Sequence, residues 1–134
     1  MSARLIPPVS PTTQPYWEGA ARGELMLQQC SACGQRPFPP HTHCEQCGSA
    51  DLAWQAASGK GTIYTYTISY RAPHPVFRDQ CPMVIAVVEL DEGPRLITNI
   101  IECAPEHVAV GMAVEAAFET IDDSDFVLPV FRPV

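Results

Sequence analysis

Four cysteines fall in two matched pairs, Cys30-x2-Cys33 and Cys44-x2-Cys47, with ten residues between them. Two residues between thiols let the backbone turn into a knuckle that offers both sulfurs to one tetrahedral ion. Gly34 and Gly48 follow the two pairs, where a left-handed residue lets backbone amides approach the sulfurs. Zinc suits such a ligand set best, with iron on the same ligands and disulfide pairing as the weaker alternatives. Four thiolates close the coordination shell and leave no position for a reactive water, so the zinc is expected to hold structure. His41 and His43 lie between the pairs and are candidate substitute ligands; solvated loop histidines are the simpler reading.

Metal and disulfide are separated by compartment. The longest apolar run, Met83 to Val88, is far short of the roughly 20 residues a membrane-spanning helix needs. Residues 1–15 lack the apolar stretch of a secretory signal. A soluble cytoplasmic chain with reduced thiols is therefore expected. Cys81 and Cys103 have no paired partner in sequence and read as small hydrophobes.

Three stretches differ in character. Residues 1–23 form a proline-rich arm and a short helix, opened by Pro15 and ended by Gly23, with Gly19 weakening it. Residues 24–53 form the zinc ribbon, with Leu25 to Gln29 as leading strand and a hairpin expected between the knuckles. About 30 residues of this kind cannot build a core, so metal must stabilise them. Residues 54–134 read as five strands: Gly61–Tyr70, Met83–Leu90, Arg95–Ile101, Val114–Thr120 and Phe126–Phe131. Asp91-Glu92-Gly93-Pro94 makes one turn, and the acidic Asp122-Asp123-Ser124-Asp125 another. A short insert after the third strand matches a small OB-fold barrel, with an SH3-like barrel as runner-up. The fold class is thus mainly β, with a helical arm, a four-cysteine ribbon and a five-stranded barrel.

The run Tyr16-Trp17-Glu18-Gly19, then Gly23-Glu24-Leu25, Phe38-Pro39-Pro40, Trp54, Ser58-Gly59, Gly61-Thr62-Ile63-Tyr64 and Glu89-Leu90-Asp91-Glu92-Gly93-Pro94-Arg95-Leu96 resembles the zinc-ribbon plus OB-fold acyl-CoA-associated proteins, long catalogued as a domain of unknown function. The resemblance covers roughly residues 14–133. It implies a rubredoxin-like ribbon, an OB barrel and a non-catalytic accessory subunit that bridges thiolase-like enzymes (thiolases, aldolases, acyltransferases) and helps bind coenzyme A thioesters. A hot-dog hydratase is a further implied partner. Steroid side-chain, fatty-acid, polyketide and isoprenoid chemistry all fit. Where the family often carries Arg after the Pro-Pro pair, this chain has His41.

Two features bear on that expectation. The loop Arg71 to Arg78 joins the first two barrel strands and carries two guanidiniums, which match phosphate oxygens. Arg71 and Arg78 are the candidate coenzyme A contacts, with Phe77 or a tyrosine against the adenine. Read alone, the loop is first a solvated connection kept extended by prolines. Tyr16 and Trp17 suit either an enzyme interface or packing on the chain's own barrel.

The alternative function is an OB-fold module for single-stranded nucleic acid, with Tyr64, Tyr66 and Tyr70 on one strand face. That alternation, with Ile68 on the same face, reads better as a core face. Residues 54–134 also carry five Lys/Arg against eleven Asp/Glu, and nucleic-acid affinity needs a positive track. No nucleophile elbow, phosphate-binding glycine loop or paired-carboxylate motif marks an independent enzyme.

Overall fold

A computed structural model describes residues 5–121 and 124–134 of the 134-residue chain. Asp122 and Asp123 of the expected acidic turn lie outside the described residues, as do residues 1–4. Helix α1 (Gln14–Ala21) is followed by β1 (Met26–Cys30) and β2 (Leu52–Ala56), which pair antiparallel as a separate two-stranded sheet. Five strands then close a barrel: β3 (Lys60–Ser69), β4 (Met83–Leu90), β5 (Arg95–Ile100), β6 (Ala113–Thr120) and β7 (Val127–Pro133), in the order β3-β4-β5-β7-β6. A 3-10 turn, Pro75–Gln80, sits in the β3–β4 connection and another, Pro105–His107, between β5 and β6. A short parallel contact between β5 and β7 completes the circle at Ile100 and Phe131.

The hairpin expected between the knuckles is absent. Residues 35–43 carry no strand, and β1 pairs instead with β2, beyond the second knuckle. Pro37, Pro39 and Pro40 cannot donate to a ladder, which leaves this excursion without a sheet of its own. Its hold comes from Gln28, a buried side chain on β1 whose amide accepts from the His41 N–H and donates to the His41 carbonyl, both at 2.9 Å. Pairing the two functions of one amide with the backbone N–H and carbonyl of one residue satisfies a group that would be costly to bury alone.

Alternation along β4 places Val84, Ala86, Val88 and Leu90 inside the barrel with Ile63, Leu96, Ile100, Val114 and Phe131. Leu25 and Leu27, before and within β1, belong to the same cluster, so ribbon and barrel share one continuous core. Gly61 explains the tight start of β3: a Cβ there would run into the Glu89 carbonyl and lie 2.9 Å from a Val88 methyl.

Helix α1 is a bracket across that seam. Its Gly19, a poor residue for a helix interior, is required because a Cβ would collide with Met26. Gly23 ends the helix at φ +80°. Tyr16 meets Phe38 of the ribbon at 5.7 Å between ring centroids, and Trp17 meets Phe126 beside β7 at 4.9 Å. Both aromatics are therefore engaged by their own chain. Arg36, just after the first knuckle, donates to the Glu92 carbonyl at 3.3 Å, and the Glu92 carboxylate accepts from the Ser58 N–H at 2.8 Å, so the β4–β5 turn ties to ribbon and linker alike.

Gly61→Val is expected to destabilise the fold by about 1–3 kcal/mol, the usual cost of overpacking, as a lower denaturation midpoint at unchanged slope. Burial pushes the Tyr16 phenol up to about 12, whereas an unfolded tyrosine ionises near 10. Between these values the unfolded chain sheds a proton that the native chain keeps. Stability is thus full below about pH 10 and falls as pH rises towards 12. Alkaline unfolding of Tyr16→Phe should lack that component of the fall.

Candidate metal centre and anion cradle

The two knuckles are built alike. Gly34 N–H donates to the Cys30 carbonyl and Gly48 N–H to the Cys44 carbonyl, each at 2.8 Å, and both glycines have φ near +80° (+82° and +77°). Cys30 N–H to Gln35 and Cys44 N–H to Ser49, again 2.8 Å each, close the turns. These turns bring all four sulfurs within 4.8 Å of one another. Cys30 and Cys47 stand 3.6 Å apart and Cys33 and Cys44 3.5 Å. Sulfurs at ~2.3 Å from a tetrahedral zinc would be about 3.8 Å apart. The cluster is close to that geometry.

Without a cation, four thiols this close cannot all ionise. Backbone N–H donation from Cys33 lowers the Cys30 thiol to about 7, and donation from Cys47 lowers Cys44. The Gln35 amide also pulls on Cys33, but hydrogen bonding to Cys44 and burial outweigh it and push Cys33 up to about 12. Cys47 is raised likewise: the Ser49 amide pulls its thiol down, but pairing with Cys30 prevails. A dication removes this conflict by stabilising every thiolate at once. His41 takes no part among the sulfurs; its Nε2 pairs with Glu45 at 2.8 Å. His43 Nδ1 is bonded to the Thr42 hydroxyl at 3.1 Å.

The β3–β4 connection brings Arg71, His74 and Arg78 around one surface cavity of about 390 Å³, bordered also by Tyr70 and Cys81. No carboxylate lines it, and among the described residues neither guanidinium forms an ion pair. The Val76 N–H donates to His74 Nδ1 at 3.1 Å, which leaves Nε2 as the ring nitrogen available to donate. Ser69 Oγ holds the Arg71 carbonyl at 2.8 Å. Arg71 and Arg78 are thus brought together, while Phe77 faces a neighbouring apolar cavity of about 320 Å³ with Met83, Ile85, Ile97 and Leu128. The two cavities meet at Pro73, which lines both. His74 was not singled out by spacing; its position between two arginines in a Pro-rich loop was the available signal.

The tyrosine face is not a core face. A bulge between Ile63 and Thr65 shifts the register, so that Ile63 lies opposite Val88 but Thr65 opposite Val87. Tyr64 thereby turns outward beneath Arg95, whose guanidinium carbon is 3.8 Å from the ring centroid. Tyr66 shares the face of buried Ala86 yet is 36% exposed, and Tyr70 is 73% exposed. The bulge thus separates Tyr64 from the other two, and no continuous three-ring platform remains for stacking bases. No helix among the described residues is long and apolar enough to cross a membrane.

Comparison with known proteins places these features. Residues 17–53 match the ChsH2 rubredoxin-like zinc ribbon domain and residues 54–119 the ChsH2 C-terminal OB-fold domain. A DUF35 domain-containing scaffold protein of Methanocaldococcus jannaschii is 39% identical over 116 residues, covering 82% of each chain. A probable enoyl-CoA hydratase alpha subunit of Thermomonospora curvata is 40% identical over 118 residues, 88% of this chain but only 36% of that protein. Among solved structures, a chain of the Ltp2-ChsH2(DUF35) aldolase superposes with a TM-score of 0.86 at 38% identity, covering 96% of this chain and 98% of that one.

Replacing Cys44 by Ser, or stripping metal with a strong chelator, should abolish binding of one zinc per chain. The Cys30 and Cys44 amides should then lose their protection from hydrogen exchange while those of β4 keep theirs.

Proposed function

The chain belongs to the DUF35 family of zinc-ribbon and OB-fold proteins, and from that membership we propose that it is a non-catalytic accessory subunit of a thiolase-superfamily complex that helps bind acyl-CoA. One observation carries the reading: the likeness to the DUF35 chain of the aldolase spans both chains almost completely. The hydratase subunit is matched over about a third of its length, so a hot-dog hydratase is the secondary partner. A relative in Mycobacterium tuberculosis, 34% identical over 131 residues, is a 3-oxo-4,17-pregnadiene-20-carboxyl-CoA hydratase alpha subunit, which supports steroid or related lipid chemistry.

In this reading Cys30, Cys33, Cys44 and Cys47 hold one zinc. When bound, it supplies cohesion between the knuckles, and its all-thiolate shell offers no open position for substrate. Arg71 and Arg78 receive phosphate oxygens of coenzyme A, and its adenine lies against Phe77 in the adjoining groove. Arginine forks suit phosphate, and an apolar wall suits a base. Carbon–carbon chemistry is assigned to the enzyme partner in this reading, as the scaffold name of the DUF35 relatives supports. All six cysteines are free, which fits a reducing cytoplasm.

Gentle purification of the tagged full chain from its own cells, followed by mass spectrometry, should recover a thiolase-like or aldolase subunit in near-stoichiometric amount. Turnover of a coenzyme A thioester by the purified chain alone, or salt-sensitive retention on single-stranded nucleic acid with no enzyme partner, would overturn the proposal.

A further inference from the structure

Resting on the coenzyme A reading, we infer that the Arg71–His74–Arg78 cradle recognises the terminal 3′-phosphate of the nucleotide, and hence binds 3′-phosphoadenosine compounds whether or not they carry a thioester. Three donor side chains converge on one cavity within a single loop. Such convergence suits one phosphorus with three terminal oxygens better than an extended diphosphate. A phosphomonoester also carries about −1.5 to −2 charges near neutral pH, against about −1 for each bridging phosphate. The two guanidiniums match that charge.

His74 adds a third donor. Its Nδ1 is committed to the Val76 N–H, so Nε2 carries the proton and is the only ring nitrogen left to donate. The Phe77 groove supplies the second half of the argument. It adjoins the cradle at Pro73, and its lining is mostly apolar. In a 3′-phosphoadenosine the base and the 3′-phosphate hang from one ribose, which matches two cavities with a common border. The rest of coenzyme A then leaves from the 5′ side without needing a pocket here. Acyl selectivity is accordingly left to the enzyme partner.

The test is calorimetric titration of the zinc-loaded full chain with three probes: coenzyme A, 3′-dephospho-coenzyme A and adenosine 3′,5′-bisphosphate. Losing charge-assisted hydrogen bonds should weaken the dephospho form about 10- to 100-fold relative to coenzyme A. The bisphosphate, lacking pantetheine and thiol, should bind within about tenfold of coenzyme A. Arg78→Ala should weaken coenzyme A and the bisphosphate at least about tenfold and leave the dephospho form unchanged. A merely misfolded loop would instead weaken all three. His74→Gln, which keeps a neutral donor, should retain more of the 3′-phosphate preference than His74→Ala. Equal affinity for coenzyme A and its dephospho form would overturn this inference while leaving the coenzyme A reading intact. Binding of none of the three would remove the coenzyme A reading itself.

Discussion

Four sulfurs meeting within 4.8 Å are the constraint from which the N-terminal half takes its form. The knuckles have little apolar material around them: Cys30 and Cys44 are buried, but Cys33 and Cys47 face solvent. What lies between them is held by side chains and not by a ladder: the Gln28 amide on His41, Arg36 on the Glu92 carbonyl and Tyr16 on Phe38. The ordered knuckles in turn fix the ends of β1 and β2, and this two-stranded sheet delivers Leu25 and Leu27 to the core of the barrel. A metal site of a few ångströms is thus connected to a barrel that otherwise has its own closure.

Most of this plan was legible in the chain. Paired CxxC units with following glycines leave few geometries open, and all four thiols converge as that spacing requires. The barrel strands follow β-prone runs, and β4 spans Met83–Leu90 as its sequence predicts. Its outward residues are apolar for a separate reason, since Met83 and Ile85 line the groove beside Phe77. What was not legible was the partner of β1, because β2 lies beyond both knuckles and pairing at that range leaves no local signature.

The tyrosines show the limit of period-two reasoning. Tyr64, Tyr66, Ile68 and Tyr70 alternate as a core face should, yet one extra residue in β3 breaks the phase. Nothing in Thr62-Ile63-Tyr64-Thr65 announces a bulge. The grouping of Arg71 with Arg78 was foreseeable from their common loop, whereas the separate placement of Phe77 depends on how the 3-10 turn at Pro75–Gln80 is set against β4 and β5. Tyr16 and Trp17 were equally open to an external or an internal role, and the ring contacts with Phe38 and Phe126 resolve them inward.

Every polar contributor to the cradle comes from one connection, Tyr70 to Cys81, and none from the strands that close the barrel. If the cradle binds as proposed, ligand recognition is a detachable trait. Exchange of this single segment between relatives would transfer or erase it without altering any strand register. Within such a lineage the scaffold can stay constant while its ligands drift, and overall likeness then says less about what is bound than the thirteen residues between β3 and β4.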